Sequence, residues 1–200
     1  MITIALSKGR QLKDFIDYLD SIQLTEWSTA LKSVSRELVV LIEDIRFLLV
    51  KGEDVPVYVE EGIADLGITG SDVLFEQNRT LNNLMNLPFG YCHFALASKQ
   101  PQKEYQIVAT KYVHYTQRYF NTIMQPVKII ALKGSVELAA TIDMADAIMD
   151  IVQSGTTLRE NGLSEQVRLD EINARLISNK HAYFSKYEEI QKIINVLKVN

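Results

Sequence analysis

The sequence predicts an α/β fold in which strands and helices alternate along the chain. Short strand-like segments, most of them apolar, recur from residues 2–6 to residues 167–177, and stretches with apolar residues at helical spacing separate them. Alternation of this kind is typical of largely parallel sheets covered by helices. With 200 residues, the chain can bury a good core and form one large or two small domains.

The N-terminal half contains five predicted strands, at residues 2–6, 39–42, 47–50, 66–69 and 85–87. A helix follows the first strand, because apolar residues recur at positions 12, 15, 16, 19 and 22. A second helix starts at Asp54 with Pro56 in its first turn, and Gly62 suits its end. A third follows Ser71 and Asp72, which we interpret as its cap.

The C-terminal half repeats this alternation. Strands are predicted at residues 92–97, 107–109, 127–132, 147–152 and 167–177. Helices are predicted at residues 113–123 and 135–140 and from Leu158. The apolar spacing from Tyr183 to Leu197 predicts one amphipathic helix at the end of the chain.

Composition excludes several classes of protein. The chain is 47% hydrophobic and 23% charged, as in ordinary soluble domains, and its net charge of -4 argues against non-specific nucleic-acid binding. The single Cys92 permits no disulfide within the chain, which fits a cytoplasmic location. No apolar run approaches the length of a membrane span. The three histidines lack the spacing of metal ligands, which argues against a structural zinc site.

The segment from Asp150 to Gly162 carries the most specific chemical signal. An apolar strand ends in Ser154-Gly155-Thr156-Thr157, and a helical register begins at Leu158. Free backbone N–H groups and hydroxyls at such a turn favour a phosphate. Asp150 beside that turn suggests sugar hydroxyls or a metal ion as its partner. Taken alone, the segment is equally compatible with a plain strand-to-helix turn that uses good cap residues.

Basic or small residues follow several other strands. Ser7-Lys8-Gly9-Arg10 places two cations around a glycine before a helix, which predicts a second anion site, although a solvated surface pair stays open. Arg36, Lys51 and Glu137 also lie close to predicted strand ends. Ligands of open α/β sheets bind beyond the carboxyl ends of the strands, so these loops predict a cleft for two phosphorylated molecules.

Two segments of the chain resemble each other, which suggests two lobes of similar design. The segment from Ala64 resembles the segment from Ala145, since each has Ala-Asp, a buried strand, and then glycine with hydroxyl or acidic residues. Any two βα turns would resemble each other to a similar degree, so this internal similarity is equally compatible with two similar lobes and with chance.

Many segments of the chain match the motifs of one protein family, and they do so in the same order along the sequence. The chain resembles the short form of ATP phosphoribosyltransferase, the first enzyme of histidine biosynthesis. The matching segments are residues 4–10, 54–60, 64–70 with Asp72, 109–112, 118–120, 134–139, 145–148, 150–163, and 175–177 with Asn179 and Lys180. They extend over nearly the whole chain.

The resemblance implies a two-lobed periplasmic-binding-protein type II-like fold with a central cleft and no C-terminal regulatory domain. Residues 1–88 and 168–200 would form lobe I, on the ATP and pyrophosphate side, and residues 89–167 lobe II, with the phosphoribosyl donor loop. The reaction would transfer phosphoribosyl from phosphoribosyl pyrophosphate to ring nitrogen 1 of ATP. Magnesium (Mg²⁺) would accompany the pyrophosphate, without direct protein ligands. A histidyl-tRNA-synthetase-like regulatory subunit and self-dimers within a hetero-oligomer are also implied.

The resemblance further implies roles for individual residues. The donor would be bound by Glu137, Asp150, Gln153, Ser154, Gly155, Thr156 and Thr157. ATP would be bound by Ser7, Lys8, Gly9, Arg10, Thr69, Gly70 and Asp72. Arg36 and Lys51 would be catalytic, since fixed cations can stabilise the departing pyrophosphate.

The chain departs from the family pattern at three places. Lys51 stands where the family usually has arginine, Ser71 where many short-form members have lysine, and Ala139-Ala140 where alanine-proline is usual. The first two changes remove phosphate-binding capacity. Two alternatives to a fully active subunit stay open: a non-catalytic small-ligand-binding protein of the same two-lobe fold and, given Lys51 and Ser71, a catalytically weak subunit.

Overall fold

The structure, a computed structural model, describes residues 1–198. The strands are β1 Ile2–Ser7, β2 Val39–Ile42, β3 Ile45–Val50, β4 Leu66–Gly70, β5 Asn82–Asn86, β6 Cys92–Ser98, β7 Ile107–Thr110, β8 Lys128–Ala131, β9 Ala147–Val152, β10 Ser164–Ile172 and β11 Ala174–Ser178. The helices are α1 Arg10–Ser21, α2 Thr25–Lys32, α3 Val55–Glu60, α4 Ser71–Gln77, α5 Val113–Thr122, α6 Glu137–Thr141, α7 Thr156–Glu160, α8 Lys180–Ser185 and α9 Tyr187–Leu197, with a 3-10 turn at Gly52–Asp54. None of these helices is both long and apolar enough to cross a membrane.

The chain divides into two compact units. Unit 1 consists of Met1–Leu74, Asn78–Gly90 and the segment from Asn173 onward, and unit 2 consists of Phe75–Gln77 and Tyr91–Ile172. The predicted lobes had their boundaries slightly earlier in the chain, after residues 88 and 167. In the structure, the chain returns to unit 1 only after Ile172, because β10 stays paired with β6 as far as Ile172, opposite Cys92.

Unit 1 is built on a six-stranded sheet in the order β2-β3-β1-β4-β11-β5. Strand β1 is buried along its whole length and pairs in parallel with β3 and β4. Its apolar side chains alternate between the main core, which contains Phe15 and Phe47, and a smaller core beneath α3. Burial on both faces explains why this strand is apolar apart from Thr3 and Ser7 and does not alternate strictly between apolar and polar residues.

Unit 2 is built on a five-stranded sheet in the order β10-β6-β9-β7-β8. Strand β7 pairs in parallel with β8 and β9, whereas β6 runs antiparallel to β9 and β10. Phe94 of β6 stacks on Tyr115 of α5, with ring centroids 3.6 Å apart. The Tyr115 hydroxyl donates to Asp170 at 2.7 Å, which secures α5 to β10.

The sheets differ from the predicted, largely parallel ones. Both are mixed, because β2 returns beside β3 as a hairpin and the strands β6, β10 and β11 run against their neighbours. The single strand predicted at residues 167–177 is also wrong. It breaks at Asn173 into β10 and β11, which belong to different sheets.

Two local expectations also need correction. Ser71 and Asp72 do not cap α4; the N-cap residue is Gly70, and the Ser71 hydroxyl instead accepts a hydrogen bond from the Asn173 amide at 3.3 Å. The predicted terminal helix is two helices, α8 and α9, separated at Lys186. The Lys186 ammonium donates to Asp65 at 2.8 Å, so the break is stabilised by an ion pair.

A substitution at Gly67 tests the packing that positions α3. A Cβ atom at Gly67 of β4 would lie 2.7 Å from Val59 Cγ2 and 2.8 Å from Val55 Cγ1, both on α3. We expect Gly67→Ala to lower the free energy of unfolding by about 1–3 kcal/mol, because the packed helix must move. Urea unfolding followed by circular dichroism measures this change. Gly134→Ala, with no atom within 4 Å of the added Cβ, serves as the control, and equal stability of the two variants would contradict the packing argument.

Candidate active site

Strand register brings most of the predicted residues of unit 1 to one edge of its sheet. Ser7 lies opposite Val50, and Leu6 lies opposite Ile68. Strands β1, β3 and β4 therefore end at the same level, and the loops that follow them emerge side by side. Those loops contain residues 7–10, Lys51 and residues 69–72, which are members of the predicted set.

The loop after β1 presents two cations beside a glycine. Ser7 is buried, and the amide of Lys8 donates to the Val50 carbonyl at 2.9 Å, so the chain stays paired until it turns. Gly9 then adopts φ 77°, a conformation in which a side chain would be strained. Arg10 begins α1, and both Lys8 and Arg10 are exposed. These residues fit an anion better than they fit a helix end, where basic side chains oppose the dipole.

Arg36 and Lys51 reach the same edge from opposite chain directions. Strand β2 runs antiparallel to β3, and the amide of Leu49 donates to the Leu38 carbonyl at 2.8 Å. The segment before β2 therefore lies beside the segment after β3. Both Arg36 and Lys51 are exposed. The structure thus places the two predicted catalytic cations in neighbouring segments of one sheet edge.

The Arg36 segment is held by the carboxylate of Glu37. This carboxylate accepts the backbone N–H groups of Ser35 at 2.8 Å and Arg36 at 3.0 Å. Hydrogen bonds from its own backbone N–H and from those two residues hold the pKa of Glu37 below its usual value. The ionised form of Glu37 therefore orders the backbone that carries Arg36.

The turn after β4 is compact. The buried Thr69 hydroxyl donates to the Gly52 carbonyl at 3.3 Å, which ties β4 to the turn that follows Lys51. At Gly70 a side chain would collide with the Asp72 carboxylate, which folds back over the glycine. Thr69, Gly70 and Asp72 are therefore close together, as the sequence predicts. The buried Thr69 side chain supports this turn, since its hydroxyl is directed at a backbone carbonyl.

Arg175 belongs to this edge, although the sequence analysis did not select it as a site residue. It lies on β11, opposite Thr69 on one side and Asn86 on the other. One guanidinium nitrogen donates to the Asn86 side chain, whereas Nε is buried with no hydrogen-bond partner among the described residues. Burial lowers the pKa of Arg175. The sequence feature that could have identified Arg175 is its position as a cation within the otherwise mostly apolar strand Ala174–Ser178.

Unit 2 also collects its predicted residues at one sheet edge. Thr110 at the end of β7 lies opposite Ala131 of β8 and opposite Met149 of β9. The loops that follow these strands contain Lys111, residues 133–137 and residues 153–157. Glu137 is half-buried as the first residue of α6. Lys111, which the sequence analysis did not select, follows Thr110 directly and so lies beside the Asp150 position.

Asp150 and the loop after β9 form the centre of that edge. Asp150 is half-buried, and its Oδ1 accepts the amide of Ile151 at 2.8 Å. Gly155 adopts φ 70°, which turns the chain into α7. The hydroxyl oxygens of Ser154 and Thr156 lie 3.1 Å apart, and Gln153 and Thr157 are exposed beside them. The loop therefore offers several hydroxyls in a small volume.

Helix α7 is too short to have a strong helix dipole. It contains five residues, Thr156–Glu160, so few peptide dipoles are aligned behind the loop. The phosphate affinity predicted for this turn must come mainly from hydroxyls, backbone N–H groups and nearby cations. No group of three or more His, Cys, Asp or Glu side chains within residues 1–198 is arranged to hold a metal ion.

Known proteins resemble the chain along its whole length. The family model for ATP phosphoribosyltransferase (HisG) matches residues 51–199. The ATP phosphoribosyltransferase of Staphylococcus carnosus is 55% identical over 100% of this chain and 98% of that protein. The enzyme of the same name from Staphylococcus aureus strain MRSA252 is 50% identical, with the same coverage.

The chain belongs to the ATP phosphoribosyltransferase family. Among solved structures, it resembles a chain of the ATP phosphoribosyl transferase (HisG:HisZ) complex from Thermotoga maritima, with a TM-score of 0.82 and 30% identity. The match covers 98% of this chain and 96% of that chain. The aliphatic sulphonate binding protein SsuA of Escherichia coli is 14% identical with a TM-score of 0.66 and covers 98% of this chain and 70% of that chain, which shows a shared periplasmic-binding-protein fold and nothing further.

The Glu37 contacts lead to a prediction that can be tested on the protein without any substrate. We expect the amide resonances of Ser35 and Arg36 to titrate with the Glu37 carboxyl, with a midpoint below the usual glutamate value, because both amides bind the ionised form. As the pH falls through that midpoint, the segment loses this stabilisation. Two-dimensional NMR over the acidic range measures the shift. Glu37→Gln should abolish it, and an unshifted midpoint in the wild type would show that the segment is not held this way.

Proposed function

We propose that the chain is the catalytic subunit of ATP phosphoribosyltransferase. It transfers the phosphoribosyl group of phosphoribosyl pyrophosphate to ring nitrogen 1 of ATP and releases pyrophosphate, the first step of histidine biosynthesis. The full-length identity of 55% to an enzyme of that name carries the proposal. The likeness to SsuA concerns the fold alone, so it does not favour the alternative of a small-ligand-binding protein.

The edge of unit 1 is assigned to ATP and pyrophosphate. Exposed Lys8 and Arg10 follow β1, and exposed Arg36 and Lys51 flank β2 and β3. Four cations at the end of one sheet match the charge of a triphosphate and of departing pyrophosphate. The compact turn at residues 69–72 is assigned to the rest of the nucleotide.

The edge of unit 2 is assigned to the phosphoribosyl donor. The hydroxyls of Ser154, Thr156 and Thr157 would bind the 5-phosphate, with Gly155 permitting close approach of the backbone. The carboxylates of Asp150 and Glu137 would accept hydrogen bonds from the ribose hydroxyls. This assignment explains why a carboxylate lies beside a loop suited to an anion.

The chemistry of the transfer matches these residue types. Ring nitrogen 1 of ATP has a free lone pair, so the reaction needs no strong base to create its nucleophile. It attacks the anomeric carbon as the bond to pyrophosphate breaks, and negative charge builds on the leaving group. Fixed cations placed where that charge develops, together with orientation of the two substrates, lower the barrier. Arg36 and Lys51 are assigned that role.

Magnesium enters this scheme with the substrate. In this proposal the ion arrives bound to the pyrophosphate group of the donor, without direct protein ligands. Bound there, the ion would neutralise part of the phosphate charge. Lys51 and Arg36 would then complete the neutralisation from the protein side.

A second protein is part of the proposed assembly. The solved chain from Thermotoga maritima comes from a HisG:HisZ complex and covers nearly all of this chain. We assign to this chain a regulatory partner of the same kind, similar to histidyl-tRNA synthetase, within a hetero-oligomer that contains dimers of this chain.

One assay separates the proposed function from its alternatives. Pyrophosphate release is measured with ATP and the donor, in the presence and absence of the regulatory subunit. Turnover that the partner increases supports the proposal. Turnover that stays very low with the partner would indicate a catalytically weak subunit, and donor binding without any turnover would indicate a binding protein.

The catalytic assignment predicts a loss of turnover that exceeds any loss of substrate binding. We expect Arg36→Ala and Lys51→Ala each to lower kcat by about 100-fold, because each removes a cation from the developing pyrophosphate charge. Steady-state kinetics of the complex with its partner measure kcat and both KM values. Lys51→Arg should keep activity, since arginine binds two phosphate oxygens at once.

The control for this prediction is Lys103→Ala. Lys103 is exposed between β6 and β7, toward the opposite edge of the sheet of unit 2. Wild-type kcat in both Arg36→Ala and Lys51→Ala would remove these residues from the catalytic role.

The ribose assignment predicts a selective loss of donor affinity. We expect Asp150→Ala to weaken donor binding by about 10- to 100-fold, the range for hydrogen bonds to a charged group, while ATP affinity stays nearly unchanged. Isothermal titration calorimetry with each substrate separately measures both constants. Asp17→Ala, which removes an exposed carboxylate on α1, is the control. Equal weakening of both substrates would instead indicate a general structural defect.

A further inference from the structure

The Arg159 side chain folds back from α7 onto the loop of residues 153–157. One guanidinium nitrogen, Nη1, donates to the Ser154 carbonyl at 3.0 Å, and Nη2 donates to the Thr156 hydroxyl oxygen at 3.1 Å. The guanidinium therefore bridges the two residues on either side of Gly155. All of these contacts lie within unit 2.

Gly155 makes this bridge possible. A Cβ atom at this position would lie 3.1 Å from Arg159 Nη1, and φ is 70°, so a side chain would both crowd the guanidinium and strain the backbone. The absence of a side chain at Gly155 lets the planar group lie close against the turn. Glycine thus serves the internal contact of the loop as well as the approach of a ligand.

The bridge changes which groups the loop can offer to an anion. A phosphate group accepts hydrogen bonds from donors, and a carbonyl oxygen nearby repels it. Arg159 occupies the Ser154 carbonyl and so removes that repulsion. It also fills a lone pair of the Thr156 hydroxyl, whose proton can then be donated either to a ligand or to the Ser154 hydroxyl 3.1 Å away.

Arg159 also brings a full positive charge to the loop. No ion pair among the described residues involves it. Since α7 contains only five residues, a side-chain cation is a stronger source of positive potential at this turn than the helix. Arg159 is exposed, so its charge remains accessible from solvent.

We propose that Arg159 is a positioning residue, which holds the 153–157 loop with its hydrogen-bond donors directed at the donor's 5-phosphate. The inference rests on the proposed function, since it takes that phosphate as the ligand of the loop. Arg159 acts through Ser154 and Thr156 and also contributes its charge. It thereby sets the affinity for the phosphoribosyl donor and leaves the affinity for ATP unaffected.

The test compares three substitutions in the complex of the full chain with its regulatory subunit. We expect Arg159→Ala to raise the KM for the donor at least 10-fold, with the KM for ATP within twofold and kcat within threefold of wild type. Arg159→Lys keeps the charge but cannot bridge both groups, so its KM for the donor should be intermediate. Arg159→Gln keeps one hydrogen bond without charge and should bind the donor more weakly than Arg159→Lys.

Chemical rescue separates a positioning role from a general loss of structure. Guanidinium ion at millimolar concentration should lower the donor KM of Arg159→Ala and leave that of Arg159→Gln unchanged, because the glutamine side chain fills the vacated space. The control is Arg168→Ala, an exposed arginine of β10 paired with Glu171, which should behave as wild type. If Arg159→Ala does not fold, the order of donor KM values in the lysine and glutamine variants decides.

The outcomes distinguish this inference from the proposed function. If the wild-type complex releases no pyrophosphate from ATP and the donor, the proposed function fails. If the wild type turns over but the donor KM is unchanged in the Arg159 variants, only the role of Arg159 is overturned. Equal increases in the KM values of both substrates, without rescue, would overturn it as well.

Discussion

The parallel pairing of β1 with β3 and β4 is the constraint on which the candidate site of unit 1 depends. Strand β1 is buried throughout, and its alternate residues enter two different cores. A shift of register by one residue would exchange Ala5 and Leu6 between those cores, which packing forbids. The loops after the three strands are therefore held at one level, and exposed loop residues keep fixed positions on a rigid base.

The same logic operates in unit 2 around β9. This strand lies between β6 and β7, and the Thr110 hydroxyl donates to the Met149 carbonyl at 2.6 Å, which adds a side-chain bond to the ladder. Asp150 and the following loop emerge just beyond this point. Each sheet thus fixes the position of the loops to which we assign the charged substrates.

The apolar patterns predicted the elements that carry the site. Strands β1 and β9 and the two strands of the β2–β3 hairpin are mostly apolar, and the loops after them were predicted from glycines, hydroxyls and cations. The break at Asn173 could not be predicted, because neither glycine nor proline marks a turn between residues 167 and 178. Pairing with β6 on one side and β4 on the other, both distant in sequence, separates β10 from β11.

Two arginines were not recognised as candidate site residues from the sequence, for different physical reasons. Arg175 lies inside a strand, and only the neighbouring strands reveal that it faces Thr69 and Asn86 at the sheet edge. Arg159 looks like an ordinary surface residue of a short helix until the φ of Gly155 turns the loop beneath it. Both placements depend on three-dimensional contacts, whereas Lys8, Arg10 and Lys51 are adjacent to strand ends in the sequence itself.

Hydrogen–deuterium exchange with each substrate alone tests most directly the claim that the two sheet edges bind different substrates. The donor with magnesium should slow exchange in peptides that cover residues 150–158, and ATP should slow exchange in peptides that cover residues 7–10 and 69–72. Protection of residues 7–10 by the donor, with residues 150–158 unchanged, would contradict the assignment of both edges.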